Sequence, residues 1–148
     1  MSIRSSIDLA FCKSDMFSVI DIISCLIEDD WTIFDVDNTI DFLPVNDNDN
    51  YDWQKELMTK QAIFDIIKLK QARKETIGIN LYHKKCSVGI TVLFFPNNEM
   101  SVMCDINRKK ICYSDSLFFT DFNWYIESII MILKKKNYKI EYFECKEY

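Results

Sequence analysis

The sequence predicts an α+β domain in which a single antiparallel β-sheet packs against about three α-helices. Apolar residues recur at helical spacing in three segments, and three short alternating segments joined by tight polar turns occupy the middle of the chain. Tight turns between successive strands make an antiparallel meander, since parallel strands need long crossover connections. A length of 148 residues fits one domain, spanning residues 1–148.

The first third of the chain is predicted to hold a helix, a strand and a loop. The helix begins at Ser14 or Asp15 and ends near Asp29. Its apolar positions are Met16, Val19, Ile20, Ile23 and Ile27. Trp31–Val36 is predicted as a short strand, and residues 46–50 as a loop, because Asn and Asp favour turns.

A second helix is predicted to start at Asp52, whose carboxylate can cap its first turn. The side expected to be buried carries Trp53, Leu57, Phe64 and Ile67. After Lys74 the apolar period changes to that of strands. The meander Thr76–Ile106 is predicted as three strands, at Thr76–His83, Ser87–Phe95 and Met100–Ile106, with edge strands beside it.

The last third predicts a short strand, a helix and a final strand. Ile111–Tyr113 adds the short strand, and Thr120 or Asp121 caps the third helix. The apolar face of that helix holds Phe122, Tyr125, Ile126, Ile129, Ile130 and Leu133. Residues 134–136 are lysines in its last turn, where cations complement the helix dipole. Ile140–Phe143 is the final predicted strand.

Acidic side chains are concentrated in one part of the chain. Residues 28–52 contain no Lys or Arg and nine acids, which leaves 14 acids against 18 bases in the rest. The nine are Glu28, Asp29, Asp30, Asp35, Asp37, Asp41, Asp47, Asp49 and Asp52. Such a segment repels nucleic acid and attracts metal ions or a basic protein.

The six cysteines are scattered and form no CxxC pair, and no apolar run reaches the length of a membrane span. The first 13 residues lack the apolar core of a secretory signal. We therefore expect a cytoplasmic protein with reduced, buried thiols, without a cofactor and without a membrane partner.

Residues 34–40, Phe-Asp-Val-Asp-Asn-Thr-Ile, resemble the first motif of haloacid-dehalogenase-like phosphatases. The resemblance implies a magnesium-dependent phosphatase in which Asp35 attacks phosphorus and Asp37 acts as acid and base. It covers about seven residues, and that family needs a parallel sheet where the sequence predicts a meander. This enzyme is the alternative to a binding function.

Other candidate sites are weaker on their own residues. A calcium loop starting at Asp47 would need a glycine where Asp52 stands and an acid where Met58 stands. His83 and Cys86 could bind zinc or activate a thiol, but both fall in a predicted hairpin turn, where a solvated turn is expected. We therefore expect neither a metal site nor catalytic residues.

Aromatic residues lie beside acids in two places, at Tyr51-Asp52-Trp53 and at residues 121–125. Aromatic anchors within acidic surroundings suit recognition of a basic protein, because charges speed encounter and aromatics hold the complex. Trp53 and Trp124 are either such anchors or core residues. The residues expected to bind the partner are Asp47, Asp49, Tyr51, Asp52, Trp53, Asp29, Asp30, Asp121 and Trp124.

At these residues the chain resembles the small acidic immunity proteins of bacterial contact-dependent growth-inhibition and polymorphic toxin systems. The similarity rests on Leu43-Pro44, on residues 47–54, on residues 120–125, and on the order helix, acidic loop, helix, meander, helix, strand. It implies a non-catalytic antitoxin that binds a cognate basic toxin domain, often a nuclease, and blocks its active site. An adaptor for another basic protein stays open, as does the oligomeric state.

Overall fold

The computed structural model describes residues 3–13 and 18–148, which form an α+β domain, as predicted. These residues build an eight-stranded sheet, a separate two-stranded sheet and three helices. The strands are β1 (Ser5–Phe11), β2 (Trp31–Thr32), β3 (Ile40–Phe42), β4 (Gln54–Glu56), β5 (Ile77–His83), β6 (Gly89–Phe95), β7 (Glu99–Ile106), β8 (Lys110–Ser114), β9 (Leu117–Thr120) and β10 (Ile140–Glu147). The helices are α1 (Val19–Glu28), α2 (Lys60–Ala72) and α3, which joins Phe122–Tyr125, Ile126–Ile130 and Met131–Lys135.

The predicted meander is confirmed. Strands β5, β6 and β7 pair successively and antiparallel, so that Ile79 lies opposite Val92 and Val92 opposite Val102. All three side chains are fully buried, because alternate residues of each strand face the helices. The helices contribute Ile23, Ile67 and other apolar residues to the same core.

Strand β1 is absent from the sequence prediction and lies between β10 and β7 in the sheet order β10-β1-β7-β6-β5-β3-β4. Its buried residues Ile7, Leu9 and Phe11 alternate as a half-buried strand requires. Because β10 pairs with β1 along almost its whole length, the final strand continues to Glu147 and does not stop at Phe143. Strand β2 also pairs with β5, beside β3.

The predicted start of the second helix at Asp52 is wrong. Residues Gln54–Glu56 form β4 on β3, and the hydroxyl of Thr59 caps α2 by accepting from the backbone N–H of Ala62 at 3.1 Å. Leu57 therefore lies outside the helix and is 77% exposed, not buried as predicted. The predicted start of the first helix, at Ser14 or Asp15, lies outside the described residues.

The structure differs in detail from two further predictions. The strand predicted at Trp31–Val36 ends at Thr32, because the Asp35 side chain closes a tight turn. The short strand predicted at Ile111–Tyr113 exists within β8 but pairs with β9, outside the main sheet.

Helix α3 begins at the predicted cap Asp121, whose Oδ1 accepts from the backbone N–H of Trp124 at 3.1 Å. Its middle turn, Ile126–Ile130, is a wider π-type turn. The indole N–H of Trp31 donates to the Ser128 carbonyl within that turn at 2.9 Å. A side chain that reaches into the backbone ladder is a known cause of such distortions.

Candidate functional site

The residues predicted to bind a partner lie at the two ends of strand β5. The loop of residues 46–53 borders a cleft with Thr76, directly before β5. At the other end, His83 pairs with Trp31, and its ring centroid lies 5.3 Å from that of Trp124. A seven-residue strand spans roughly 20 Å. The predicted residues therefore form two separate sites.

At the first end, Asp47 organises the acidic loop from within. Its Oδ2 accepts from the backbone N–H of Tyr51 at 2.8 Å, and its Oδ1 accepts from that of Asp52 at 2.9 Å. The residue is only 8% exposed. Asp47 is one of the residues expected to bind the partner, but its carboxylate is nearly buried and both of its oxygens hold the loop backbone together.

Asp49, Asp52 and the Tyr51 ring remain on the surface of the same loop. Four of its residues adopt left-handed backbone angles, including Asp49 at φ 57° and Tyr51 at φ 54°. The other two are Asn46 and Asn48, a residue type that tolerates this region. For a bulky residue such as Tyr51 this geometry is uncommon and persists only when surrounding contacts impose it.

Helix α2 anchors the beginning of the loop. The ammonium of Lys70 is buried and donates to the carbonyls of Leu43 at 3.0 Å and Pro44 at 2.9 Å. Burial lowers the pKa of Lys70, while the carboxylates of Glu75 and Asp47 oppose that shift. The loop is thus tied to the domain by a buried cation.

A second set of contacts fixes Asn46. Its backbone N–H donates to Glu75 at 2.8 Å, and its side-chain oxygen accepts from Arg73 at 3.0 Å. Arg73 and Glu75 lie 3.9 Å apart, in ion-pair range. These contacts at one end and the Asp47 contacts at the other leave the loop little conformational freedom.

The loop forms one wall of a cleft of about 690 Å³. Carboxylates of Asp49, Glu75 and Glu99 and the rings of Tyr51 and Phe95 line it. Among the described residues that line the cleft, Lys74 is the one basic residue. A cleft that combines carboxylates with aromatic rings suits a cationic side chain, which both groups attract.

Trp53 is partly buried and packs against the sheet. A Cβ added to Gly78 would lie 2.8 Å from the Trp53 ring and 2.7 Å from Leu43. The small residue in β5 therefore provides the space in which Trp53 lies. Of the two roles considered for this tryptophan, the structure favours packing against the sheet.

At the second end, an aromatic group surrounds His83. Its ring centroid lies 5.0 Å from that of Trp31 and 5.3 Å from that of Trp124, both in edge-to-face geometry. Burial lowers the pKa of His83; Asp30 opposes the shift and Lys85 adds to it. The expected solvated turn applies to Cys86, which is exposed, and not to half-buried His83.

The acids predicted at this end are also engaged. Asp30 forms an ion pair with Lys85 at 3.1 Å, and Asp121 caps α3. Asp29 is exposed. Trp124 is partly buried against Trp31, so only part of it is open to a partner. This end offers a partner fewer unengaged carboxylates than the loop does.

Asp35 and Asp37 lie in a turn beside the antiparallel sheet, not at the end of a parallel strand as the phosphatase resemblance requires. Asp35 accepts from the hydroxyl of Thr39 and the ammonium of Lys55, both at 2.6 Å, and from the backbone N–H of Asp37 at 2.8 Å. Burial would raise the pKa of Asp35, but these hydrogen bonds outweigh it and hold that pKa far below its usual range. The carboxylate closes the turn.

Apolar side chains of the β8–β9 hairpin are exposed, a feature the sequence analysis does not predict. Ile111, Tyr113, Leu117, Phe118 and Phe119 are all between 39% and 75% exposed. The available signal was the pair of apolar runs on either side of Ser114-Asp115-Ser116. The thiol of Cys112 in this hairpin is exposed as well, against the expectation of buried cysteines.

Within residues 3–13 and 18–148, no three His, Cys, Asp or Glu side chains are grouped as a metal site would require. Helices in this part of the chain are too short or too polar to cross a membrane. No family model, curated protein or solved structure matches the chain.

Proposed function

We propose that this protein is a cytoplasmic immunity protein that neutralises a cognate basic toxin domain by binding it. The observation that carries the proposal is the acidic cleft, whose loop is fixed by Asp47 and Lys70 while Asp49 and Tyr51 face outward. A loop held in its binding geometry loses little entropy on association, which favours tight complexes.

The cleft would receive an Arg or Lys side chain of the toxin. Its carboxylates would pair with the cation, and the rings of Tyr51 and Phe95 would contact the apolar stem or the charged group. A toxin that acts on nucleic acid needs cations to bind phosphates. Covering those cations blocks its substrate, so inhibition requires no chemistry by the immunity protein.

Co-expression tests this function. The polypeptide encoded by the gene immediately upstream is expressed in a bacterial host with and without this chain. We expect growth arrest by that polypeptide and rescue by wild-type protein. A neighbouring polypeptide that is not toxic, or toxicity that wild-type protein does not relieve, would contradict the proposal.

Charge-reversal variants test the surface. Asp49→Lys with Asp52→Lys should abolish rescue, because it replaces two exposed carboxylates of the loop by cations. The matched control is Asp21→Lys with Glu127→Lys, which changes the net charge equally at exposed positions in α1 and α3. Loss of rescue by both pairs would indicate a general charge effect and not a defined surface.

The same proteins separate this function from the enzyme alternative. Purified wild-type protein with Mg²⁺ should not hydrolyse small phosphate esters, and Asp37→Asn should rescue growth as wild type does. Metal-dependent hydrolysis abolished by Asp37→Asn would support the phosphatase.

A further inference from the structure

Two of the six cysteines, all of which lie in the described part of the chain, are exposed to solvent. Cys86 lies in the turn between β5 and β6, and Cys112 lies in β8. The other four thiols are buried or half-buried. Burial raises the pKa of Cys104 to about 12 and also raises that of Cys145, which keeps both groups protonated. Cys86 and Cys112 are therefore the thiols that a reagent in solution reaches first.

Both exposed cysteines border one pocket of about 340 Å³, which lies between the turn after β5 and the β8–β9 hairpin. A cavity of that volume is roughly 9 Å across, whereas the Cα atoms of a disulfide lie about 4.4–6.8 Å apart. A bond between the two sulfur atoms therefore requires a local shift of a few ångströms.

The two segments that carry these cysteines can make such a shift. All five residues of β8 are exposed, and among the described strands β8 pairs with β9 alone, outside the main sheet. A two-stranded hairpin is marginally stable in water, so it moves at little cost. Residues 84–87 in the turn are exposed as well. Neither segment has to disturb the hydrophobic core in order to approach the other.

The pocket between them is positively charged. Arg108, Lys109 and Lys110 border it, and none of the described residues around it is an Asp or Glu. The guanidinium of Arg108 is paired with Glu147 at 3.1 Å, so the two lysines supply most of the unpaired charge. The chain as a whole has a net charge of −5 and repels anions, whereas this pocket attracts them.

We propose that Cys86 and Cys112 form a dithiol site that reacts with small anionic disulfides, of the class of oxidised glutathione, and closes to a reversible intramolecular disulfide. The carboxylates of such a reagent suit the cationic pocket, and two thiols on one pocket suit a two-step exchange. Disulfides of cytosolic proteins are usually transient and redox-sensing. The bridge fastens the hairpin to the turn after β5.

The reaction consists of two thiol–disulfide exchanges. The Sγ of Cys112 donates to the Ser114 carbonyl at 3.2 Å, so Cys86 is the better placed first nucleophile. Cys86 loses its proton to solvent, its thiolate attacks one sulfur of the reagent, and one glutathione thiolate leaves and takes up a proton. The Cys112 thiolate then attacks the Sγ of Cys86 and releases the second glutathione. The protein loses two electrons and two protons, and the reagent gains both.

Mass spectrometry of the folded protein tests the site. Reduced wild-type protein is incubated with oxidised glutathione, its remaining thiols are alkylated, and its peptides are mapped without reduction. We expect a protein lighter by two hydrogen atoms, with Cys86 linked to Cys112, and reversal by a dithiol reductant. Thiols that all stay free, glutathione retained on both cysteines, or a bridge to any other cysteine would overturn the proposal.

Cys112→Ser isolates the first step. This variant lacks the second thiol, so it should accumulate one glutathione on Cys86. The matched control is Cys145→Ser, which removes a half-buried thiol of β10 and should form the bridge as wild type does. Circular dichroism establishes that both variants are folded. A folded Cys112→Ser variant without the adduct, or a folded Cys145→Ser variant without the bridge, would contradict the assignment.

The charge of the reagent tests the role of the pocket. Lys109→Gln with Lys110→Gln should slow the reaction with oxidised glutathione about tenfold at low ionic strength. It should not slow the reaction with cystamine, which is a cationic disulfide. The matched control is Lys134→Gln with Lys135→Gln, an equal charge change at exposed positions of α3. An equal loss of rate with both reagents, or in both variants, would show that the pocket does not select anionic disulfides.

Discussion

Replacing Asp47 should loosen the acidic loop and destabilise the domain. The carboxylate accepts two backbone hydrogen bonds, from Tyr51 and Asp52, at a position that is 8% exposed. Hydrogen bonds to charged groups contribute about 1.5–3 kcal/mol each. Water can replace part of this, because Tyr51 and Asp52 lie at the surface. We therefore expect Asp47→Ala to lower the free energy of unfolding by about 2–4 kcal/mol, and Asp47→Asn, which keeps one acceptor, by roughly half as much.

Urea unfolding followed by circular dichroism measures these differences. The matched control is Asp49→Asn, an exposed carboxylate of the same loop, which should stay within about 0.5 kcal/mol of wild type. An Asp47→Ala variant that is as stable as this control would refute the stabilising role of the carboxylate. The Asp47 carboxylate would then not be the group that fixes the loop, and the preorganisation of the cleft could no longer be attributed to it.

Three other substitutions test separate parts of the structure. Asp35 has a lowered pKa in the folded state, so its stabilising effect is present above its unfolded pKa of about 3.9 and is lost as the pH falls below it. The unfolding free energy of Asp35→Asn should thus change less than that of wild type between pH 5 and pH 2 in urea titrations; an equal loss would contradict the assignment. Trp31→Phe removes the donor to the Ser128 carbonyl and should cost about 1–3 kcal/mol in unfolding free energy, whereas an unchanged urea midpoint would show that the bond contributes nothing. Gly78→Ala adds a Cβ 2.7 Å from the Leu43 side chain and should cost about 1–3 kcal/mol through overpacking, and a thermal midpoint equal to that of wild type would refute the close contact.

The meander could be predicted from the sequence because its turns are short and its strands alternate. Pro96-Asn97-Asn98 marks one turn, and buried residues such as Ile79 and Val92 recur at every second position. Local pairing between neighbouring segments needs no information from distant parts of the chain. For the same reason the cap at Asp121 was predictable from a polar residue before an apolar helical run.

Elements stabilised by distant partners could not be predicted in the same way. Strand β1 pairs with β10 and β7, both far along the chain, and its alternating residues are few. The sequence pattern around strand β4 predicts the start of a helix, because Asp52 is a good capping residue and Trp53 and Leu57 have helical spacing. Pairing of residues 54–56 with β3 overrides that local preference.

The candidate site was predictable in position but not in the roles of its residues. An excess of acids in residues 28–52 identifies the region, but charge alone does not tell a carboxylate that binds backbone N–H groups from one that faces solvent. Asp47 does the former and Asp49 the latter. The buried Lys70 that anchors the loop lies on a helix with other lysines, and only tertiary structure distinguishes it.

The proposed function depends most on the acidic loop as the surface that meets a basic partner. The direct measurement is the association rate constant with the toxin domain identified by the growth experiment, determined at several ionic strengths for wild type and for Asp49→Lys with Asp52→Lys. We predict that the double variant associates more slowly and that its rate depends less on salt, because the steering charges are reversed. Asp21→Lys with Glu127→Lys should retain most of the wild-type rate and salt dependence. Identical rates and identical salt slopes for wild type and the loop variant would contradict the proposed surface.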